Sequence, residues 1–358
     1  MFYREVGQFK TTYAADMAVF PIRQDRIGIA VMLAFAVVVI PLVANDFVLT
    51  SIMIPGLVFT LAAIGLNVLT GYAGQISLGT GAFMGVGAYA AFKLTSVFPE
   101  VNLIVWILVS GVFSAAVGVV FGLPSLRIKG LYLAVTTLAA QFFLDWCFVR
   151  VGWLTDYSSS GAIEAVRRSF LGIAISGPEA APLTRYFVVL GLVVLMTWIV
   201  SNLVHGRIGR TWMMVRDMDI AAELMGVRLL PAKLLAFAVS SYLAGVAGAM
   251  MVFFWLGAAE PSAFSINLSF QILFMVIIGG LGSLLGSWFG AAFIWALPVV
   301  IKFAPSLVGL EIQSATVEHV NSMIVGALII FFLIVEPHGL ARLWAVTKQK
   351  LRVWPFPW

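Results

Sequence analysis

Apolar segments long enough to cross a lipid bilayer recur along almost the whole of this chain of 358 residues. A transmembrane helix needs about 20 predominantly apolar residues. Runs of this kind occupy residues 27–44, 48–69, 76–95, 101–122, 130–149, 184–204, 233–256 and 321–335. Residues 269–303 are too long for one span, and their glycines divide them into two short ones. The sequence therefore predicts an all-α, polytopic membrane protein with about ten transmembrane helices, some of them short or glycine-broken.

Composition excludes several other classes of protein. Hydrophobic residues make up 62% of the chain and charged residues 10%, whereas soluble domains carry about 25% charge. The chain has 21 basic and 16 acidic residues. In a membrane protein this excess of basic residues is expected to set the orientation in the membrane and does not indicate binding of nucleic acid. A single cysteine, Cys147, excludes an internal disulfide, and the scattered His205, His319 and His338 predict no metal site. The chain has no P-loop, so it is predicted to bind no ATP.

The distribution of basic residues predicts the topology. Fifteen of the 21 basic residues fall in residues 1–26, 127–129, 205–233 and 337–358. A positive-inside bias places these segments in the cytoplasm, with both termini there and residues 27–336 as the transmembrane domain. Residues 1–26 form an N-terminal leader, which is interpreted as uncleaved. A cleaved signal peptide with this sequence would have an unusually long charged region. Residues 151–183 become a long external loop, which is either a surface for an extracytoplasmic partner or a plain connector.

Glycines interrupt the apolar stretch from Ile64 to Ala91, and uncharged polar residues stand among them. Lipid tolerates irregular backbone only where it packs in protein or lines a cavity. Glycine-broken segments with a few polar groups are typical of transport pathways. The residues predicted to line such a pathway are Asn67, Gln75, Ser77 and Thr80, with Ser283 from the glycine-rich stretch near residue 280. A second interpretation, compatible with the first, is that the glycines allow close helix packing.

The loop from Gly206 to Lys233 contains a predicted short helix. Asp219 can cap its start, residues 221–225 favour helix, and Gly226 can end it. A short helix between two membrane spans, flanked by basic residues, suits docking on a soluble subunit. A solvated loop is the alternative.

Three stretches resemble the LivM-type permease subunit of branched-chain amino acid ABC importers. They read GLNVLTGYAGQISLGTGAFMGVGAYAA (65–91), GRTWMMVRDMDIAAELMGV (209–227) running into KLLAFAVSSYLAGVAGAM (233–250), and MVIIGGLGSLLGSWFGAAF (275–293). They follow the family's order, and PHGL (337–340) extends the match. Two positions depart from the family pattern, because Thr80 stands where a histidine is common and Ser287 where a proline is common.

The resemblance implies a function for the predicted loop helix and for the chain. The residues implied to couple the chain to an ATPase are Arg216, Asp217, Ala221, Ala222, Glu223 and Gly226. The chain would be a non-enzymatic subunit without a cofactor in the bacterial inner membrane. It would form a pathway with a homologous second permease. Two cytoplasmic ATPases holding ATP and Mg would drive it, and an extracytoplasmic solute-binding protein would feed it. Branched-chain or related amino acids are the implied solutes, with urea or a carboxylate as alternatives.

An ion-coupled secondary transporter is the alternative from another class, and it would need an ionisable residue inside the membrane. Asp145 is the one acid well inside a predicted span, four residues after Gln141 on the same helix face. The simpler interpretation is an interfacial acid near the external end of that span. A membrane enzyme is disfavoured, because its histidines and its one cysteine are scattered.

Overall fold

The computed structural model describes residues 11–12, 23–125, 132–158, 160–166, 168–170, 173–177, 180–306, 314–335 and 339–353. Within these ranges the chain is a bundle of helices, with strands only two residues long. The predicted all-α class is confirmed.

The helices of the described ranges are numbered here in chain order. They are α1 (residues 23–43), α2 (Asp46–Tyr72), α3 (Thr80–Val97), α4 (Leu103–Ser125), α5 (Tyr132–Arg150), α6 (Pro182–His205), α7 (Arg207–Asp217), α8 (Asp219–Leu224), α9 (Leu229–Leu256), α10 (Ile266–Gly279), α11 (Leu284–Ser306), α12 (Ser314–Val335) and α13 (Gly339–Val353). A 3-10 turn, Pro261–Phe264, precedes α10. Helices α2 and α9 both end in π-helical turns, Val68–Tyr72 and Met251–Leu256.

The helix lengths fit the predicted spans. In the described ranges, eight helices are long and apolar enough to cross a membrane, namely α1, α2, α4, α5, α6, α9, α10 with its preceding turn, and α11. Helices α3 and α12, with 18 and 22 residues, correspond to the remaining predicted spans. The polytopic architecture is therefore confirmed.

Two details of the predicted spans are wrong. The span predicted from Ile76 begins as a helix only at Thr80, because residues 73–79 are not helical and Gly74 has a φ of +68°. The stretch from 269 to 303 does divide at its glycines, but its second part, α11, has 23 residues and is not short.

Small residues allow α9 to pack tightly against α3 and α4. A β-carbon on Gly87 would collide with the backbone of Gly245, and one on Gly248 would collide with the carbonyl of Met84. Ser114 Oγ on α4 donates a hydrogen bond of 2.8 Å to the carbonyl of Phe83. Beyond the irregular segment, the glycines of α3 therefore serve helix packing, as the second interpretation proposed.

Substitution at this contact should destabilise the protein. We expect Gly87→Ala to lower the free energy of unfolding by about 1–3 kcal/mol, because the added methyl group forces two packed helices apart. The control is Gly191→Ala on α6, where a β-carbon would meet nothing within 4 Å. Thermal unfolding of the purified protein in detergent measures both. Equal melting temperatures for the two variants would show that α3 and α9 tolerate separation.

Short strands close the end of the bundle at which α3 finishes. Strand β1 (Ile163–Glu164) pairs antiparallel with β4 (Ala258–Ala259), which follows α9, and β2 (Ser169–Phe170) pairs with β3 (Ile173–Ala174). Tyr89 Oη on α3 donates a hydrogen bond of 2.8 Å to the carbonyl of Gly161. The predicted 151–183 loop is thus tied to the helices beneath it.

Candidate functional site

The first break in the helical structure is the segment of residues 73–79 between α2 and α3. Burial alternates along it as in an extended strand. Gln75 and Ser77 face the interior, whereas Gly74 and Ile76 are exposed, Ile76 by 41%. The predicted pathway residues Gln75 and Ser77 therefore lie on the inner face of the segment.

The first break runs alongside α10. At one end, a β-carbon on Gly71 would collide with the backbone nitrogen of Gly282. At the other end, the Gly81 amide donates a hydrogen bond of 2.8 Å to Ser269 Oγ, near the start of α10. Helix α10 has 14 residues, which corresponds to a length of about 20 Å at 1.5 Å per residue. Non-helical backbone therefore runs beside much of α10, which forms a span of 19 residues together with its preceding turn.

Residues 280–283 form the second break, between α10 and α11, and Asn67 on α2 binds to it. Asn67 Nδ2 donates to the Ser283 carbonyl and to Ser287 Oγ, both at 2.8 Å, and Asn67 Oδ1 accepts from the Gly282 amide at 2.9 Å. Asn67 is fully buried. Its carboxamide therefore ties α2 to the second break, with Ser287 as a partner that proline could not replace.

The start of α3 is stabilised by uncharged side chains from neighbouring helices. The amides of Leu78 and Ala82 donate to Thr137 Oγ1 and Gln141 Oε1, each at 2.9 Å. Gln141 Nε2 donates in turn to the Phe264 carbonyl at 2.7 Å. Thr80, the first residue of α3, is buried beside this network. The first amides of a helix have no partner within the helix, and here uncharged side chains accept hydrogen bonds from them.

The carboxamide of Gln75 and the hydroxyl of Thr70 are buried polar groups of a different kind. Both carboxamide atoms of Gln75 and the hydroxyl of Thr70 lack a hydrogen-bond partner within the described part of the chain. A buried polar group without a partner costs about 1–3 kcal/mol. These groups at the first break therefore favour a partner from outside the chain. The place of Asn67, Gln75, Ser77, Thr80 and Ser283 in a pathway stays a prediction.

Helices α7 and α8 form the loop between α6 and α9. Trp212 and Val215 anchor α7, and Trp212 Nε1 donates to the Ala232 carbonyl at 2.9 Å. The sequence did not predict α7, although the spacing of these two residues puts them on one helix face. The predicted short helix α8 is confirmed.

The ends of α8 differ from each other in how they are formed. Met218 and not Asp219 occupies the position before the first helical residue. At the other end, Gly226 has a φ of +87°, its amide bonds to the Glu223 carbonyl, and the Val227 amide bonds to the Ala222 carbonyl. This is a Schellman motif, and it confirms Gly226 as the end of the helix.

Exposed apolar side chains on α8 and at its two ends form an apolar surface. It consists of Met218, Ile220, Leu224 and Met225, all exposed, with Leu224 exposed by 85%. Glu223 is exposed beside it, Ala221 is half-buried and Ala222 is buried. Exposed apolar patches mark protein interaction sites. We call these four residues the α8 surface.

Arg216 and Asp217, the last residues of α7, do not belong to the α8 surface. Arg216 Nη1 donates to the Gly71 carbonyl at 2.8 Å, which brings Arg216 to the first break. Asp217 Oδ1 accepts a hydrogen bond from Arg216 Nε at 2.8 Å. Nothing in the sequence indicated that the Arg216 side chain binds to Gly71.

Asp145 lies half-buried on α5. Gln141 Nε2 donates to its two carboxylate oxygens at 3.0 and 3.2 Å, which confirms that the two residues share one face. In the described ranges no group of three or more potential metal ligands occurs.

Comparison with known proteins identifies the fold family. The family model described as "Branched-chain amino acid transport system / permease component" matches residues 48–333. The chain belongs to this family of permeases. The matched range of the permease contains both breaks and helices α7 and α8.

Curated relatives agree with this assignment. The permease is 26% identical over 316 residues to the high-affinity branched-chain amino acid transport system permease protein LivM of Salmonella typhimurium, and the match covers 83% of the permease and 70% of the relative. The Escherichia coli LivM protein gives the same identity and coverage. No solved structure matches the permease significantly.

Proposed function

We propose that the permease forms one half of a translocation pathway for branched-chain or related amino acids in the bacterial inner membrane. A homologous second permease supplies the other half. Two cytoplasmic ATPase subunits bind ATP and Mg and drive transport, and an extracytoplasmic solute-binding protein delivers the solute. The names of the LivM relatives support this solute class. Urea or a carboxylate is the alternative within the family.

One observation carries the proposal, namely the exposed face of the first break. Non-helical backbone cannot face lipid, because each unsatisfied amide or carbonyl group there costs several kcal/mol. Gly74 and Ile76 are nevertheless exposed on a segment that runs alongside α10. This face must be covered by protein or by a water-filled cavity. A second permease would supply the protein cover, and a pathway between the two chains would supply the water-filled cavity.

The α8 surface supports the part of the proposal that concerns the ATPases. It lies in a loop rich in basic residues, which the positive-inside rule assigns to the cytoplasm. Both breaks approach this loop, because Gly74 and Gly282 lie beside the Arg216 side chain on α7. The soluble subunits would therefore dock at the end of the bundle where the breaks meet, with the 151–183 loop on the external side.

Reconstitution of the complex tests the proposed function. We expect the permease alone in liposomes to show no ATP hydrolysis and no solute uptake. Together with the second permease, the ATPases and the binding protein, it should take up radiolabelled leucine. This uptake should require ATP on the side of the liposome membrane where the ATPases are bound. Competition by unlabelled isoleucine or valine, compared with urea and short carboxylates, identifies the solute class.

Two results would contradict the proposal. Uptake by the permease alone would refute its role as a subunit. Uptake driven by an ion gradient without ATP, and lost in Asp145→Asn, would favour the secondary transporter.

A further inference from the structure

The Arg216 side chain lies between the two breaks. Its Nη1 donates a hydrogen bond of 2.8 Å to the carbonyl of Gly71. A β-carbon on Gly74 would lie 2.8 Å from Arg216 Cγ, and one on Gly282 would lie 3.2 Å from Arg216 Nη1. A single guanidinium group from the loop therefore approaches both non-helical segments.

The bonding partner suits a cation. Gly71 belongs to the π-helical turn that ends α2, and carbonyls in the last turn of a helix lack helical partners. The C-terminal end of a helix also carries partial negative charge. Arg216 Nη1 thus satisfies a carbonyl where the helix stops. Asp217 Oδ1 holds the same guanidinium through Nε and Nη2, both at 2.8 Å, and fixes its orientation.

Arg216 is also close to the α8 surface along the chain. Trp212 and Val215 hold α7 against the bundle, and only Asp217 and Met218 separate Arg216 from the first residue of α8. A displacement of α8 therefore has a short covalent route to Arg216. Gly71 and Gly282 are also in backbone contact, so the carbonyl that Arg216 binds lies where α2 meets the second break.

We propose that Arg216 is the positioning residue through which movement of α8 reaches both breaks. The inference rests on the proposed function, since it takes nucleotide-driven movement of docked ATPases as its input. Arg216, whose side chain is 36% exposed, then acts on the breaks and is not part of the α8 surface. Lysine cannot replace it fully, because an ammonium group lacks the planar fork that bonds to Gly71 and Asp217 together.

The test compares Arg216→Met with Arg210→Met in the complete reconstituted complex. Arg210 lies on the same helix and is exposed. We expect both complexes to assemble and to hydrolyse ATP, but uptake should fall by roughly tenfold or more only in Arg216→Met, the loss expected for a hydrogen bond to a charged group. Arg216→Lys should give intermediate uptake.

A second measurement separates transmission from a merely structural role. With Cys147 replaced by serine, a cysteine at Ile76 reports the accessibility of the first break to a water-soluble thiol reagent. Nucleotide should change its labelling rate when Arg216 is present and leave the rate unchanged in Arg216→Met. A structural role would instead reduce assembly or melting temperature. If Arg216→Met does not assemble, Arg216→Lys provides the same comparison.

The outcomes distinguish this inference from the proposed function. Full uptake and a normal nucleotide response in Arg216→Met, or in Arg216→Lys when the methionine variant does not assemble, would overturn the role of Arg216 alone. Absence of uptake and of any nucleotide response in the complex with Arg216 intact would overturn the proposed function, and this inference with it.

Discussion

Replacing Leu224 with glutamate is expected to detach the ATPase subunits and to abolish ATP-driven uptake. Leu224 is 85% exposed at the end of α8, beside Ile220 and Met225, which are also exposed. An apolar residue of this kind at the centre of an interface contributes about 2 kcal/mol or more to binding. A buried, unpaired carboxylate adds a further penalty. The affinity for the ATPase should therefore fall by roughly 30-fold or more.

Co-purification of the ATPase with the tagged permease measures this effect. Folding of the permease should be unchanged, because the Leu224 side chain is already outside its core. The control is Ile208→Glu, which introduces the same charge on α7, outside the α8 surface, at a residue that is 39% exposed. Normal co-purification and uptake in Leu224→Glu would show that the ATPase docks elsewhere.

A cysteine at Ile76 is expected to react with water-soluble thiol reagents in the assembled complex, whereas one at Ser77 is expected to stay inert. The two residues are neighbours on the first break, but Ile76 is 41% exposed and Ser77 is 2% exposed. Thiol labelling depends strongly on access, so the rates should differ by roughly tenfold or more. Reagents that dissolve in water reach Ile76 only if that face borders an aqueous cavity.

Labelling followed by mass spectrometry, in a chain with Cys147→Ser, gives both rates. The adjacent Ser77→Cys variant controls for expression and assembly, since it differs only in the face on which the cysteine lies. Nucleotide should alter the rate at Ile76. An Ile76→Cys variant that is inert in every nucleotide state would mean that protein covers this face and that the pathway runs elsewhere.

Local sequence patterns were sufficient to predict much of the fold. The apolar runs gave the spans because lipid imposes a length on every crossing helix. Gly226 gave the end of α8 because a positive φ at that position favours glycine. The same local reasoning failed at Ile76, where apolar character suggested the start of a helix. The segment is non-helical instead, and Thr137, Ser269 and Gln141 from other helices bind to its end and to the start of α3.

Contacts between distant residues were beyond such reasoning. Asn67 was singled out as a residue of the predicted pathway, but nothing in its neighbours indicates that Ser283 and Ser287 accept its protons. Arg216 was predicted to couple the chain to an ATPase. Its bond to Gly71 could not be predicted, because the direction of its side chain depends on the packing of Trp212 against α9. In both cases a tertiary contact and not a local preference decides where the side chain points.

The bond between Asn67 and Ser283 also constrains how the permease is made. The two residues are 216 positions apart in the chain. At about 5–20 residues per second, a ribosome needs on the order of 10–40 s to synthesise the intervening segment. During that time Asn67 precedes its partners into the membrane, and its carboxamide needs another protein or water for solvation. Biogenesis of this permease therefore includes an interval in which α2 carries a polar group that only the last third of the chain can satisfy.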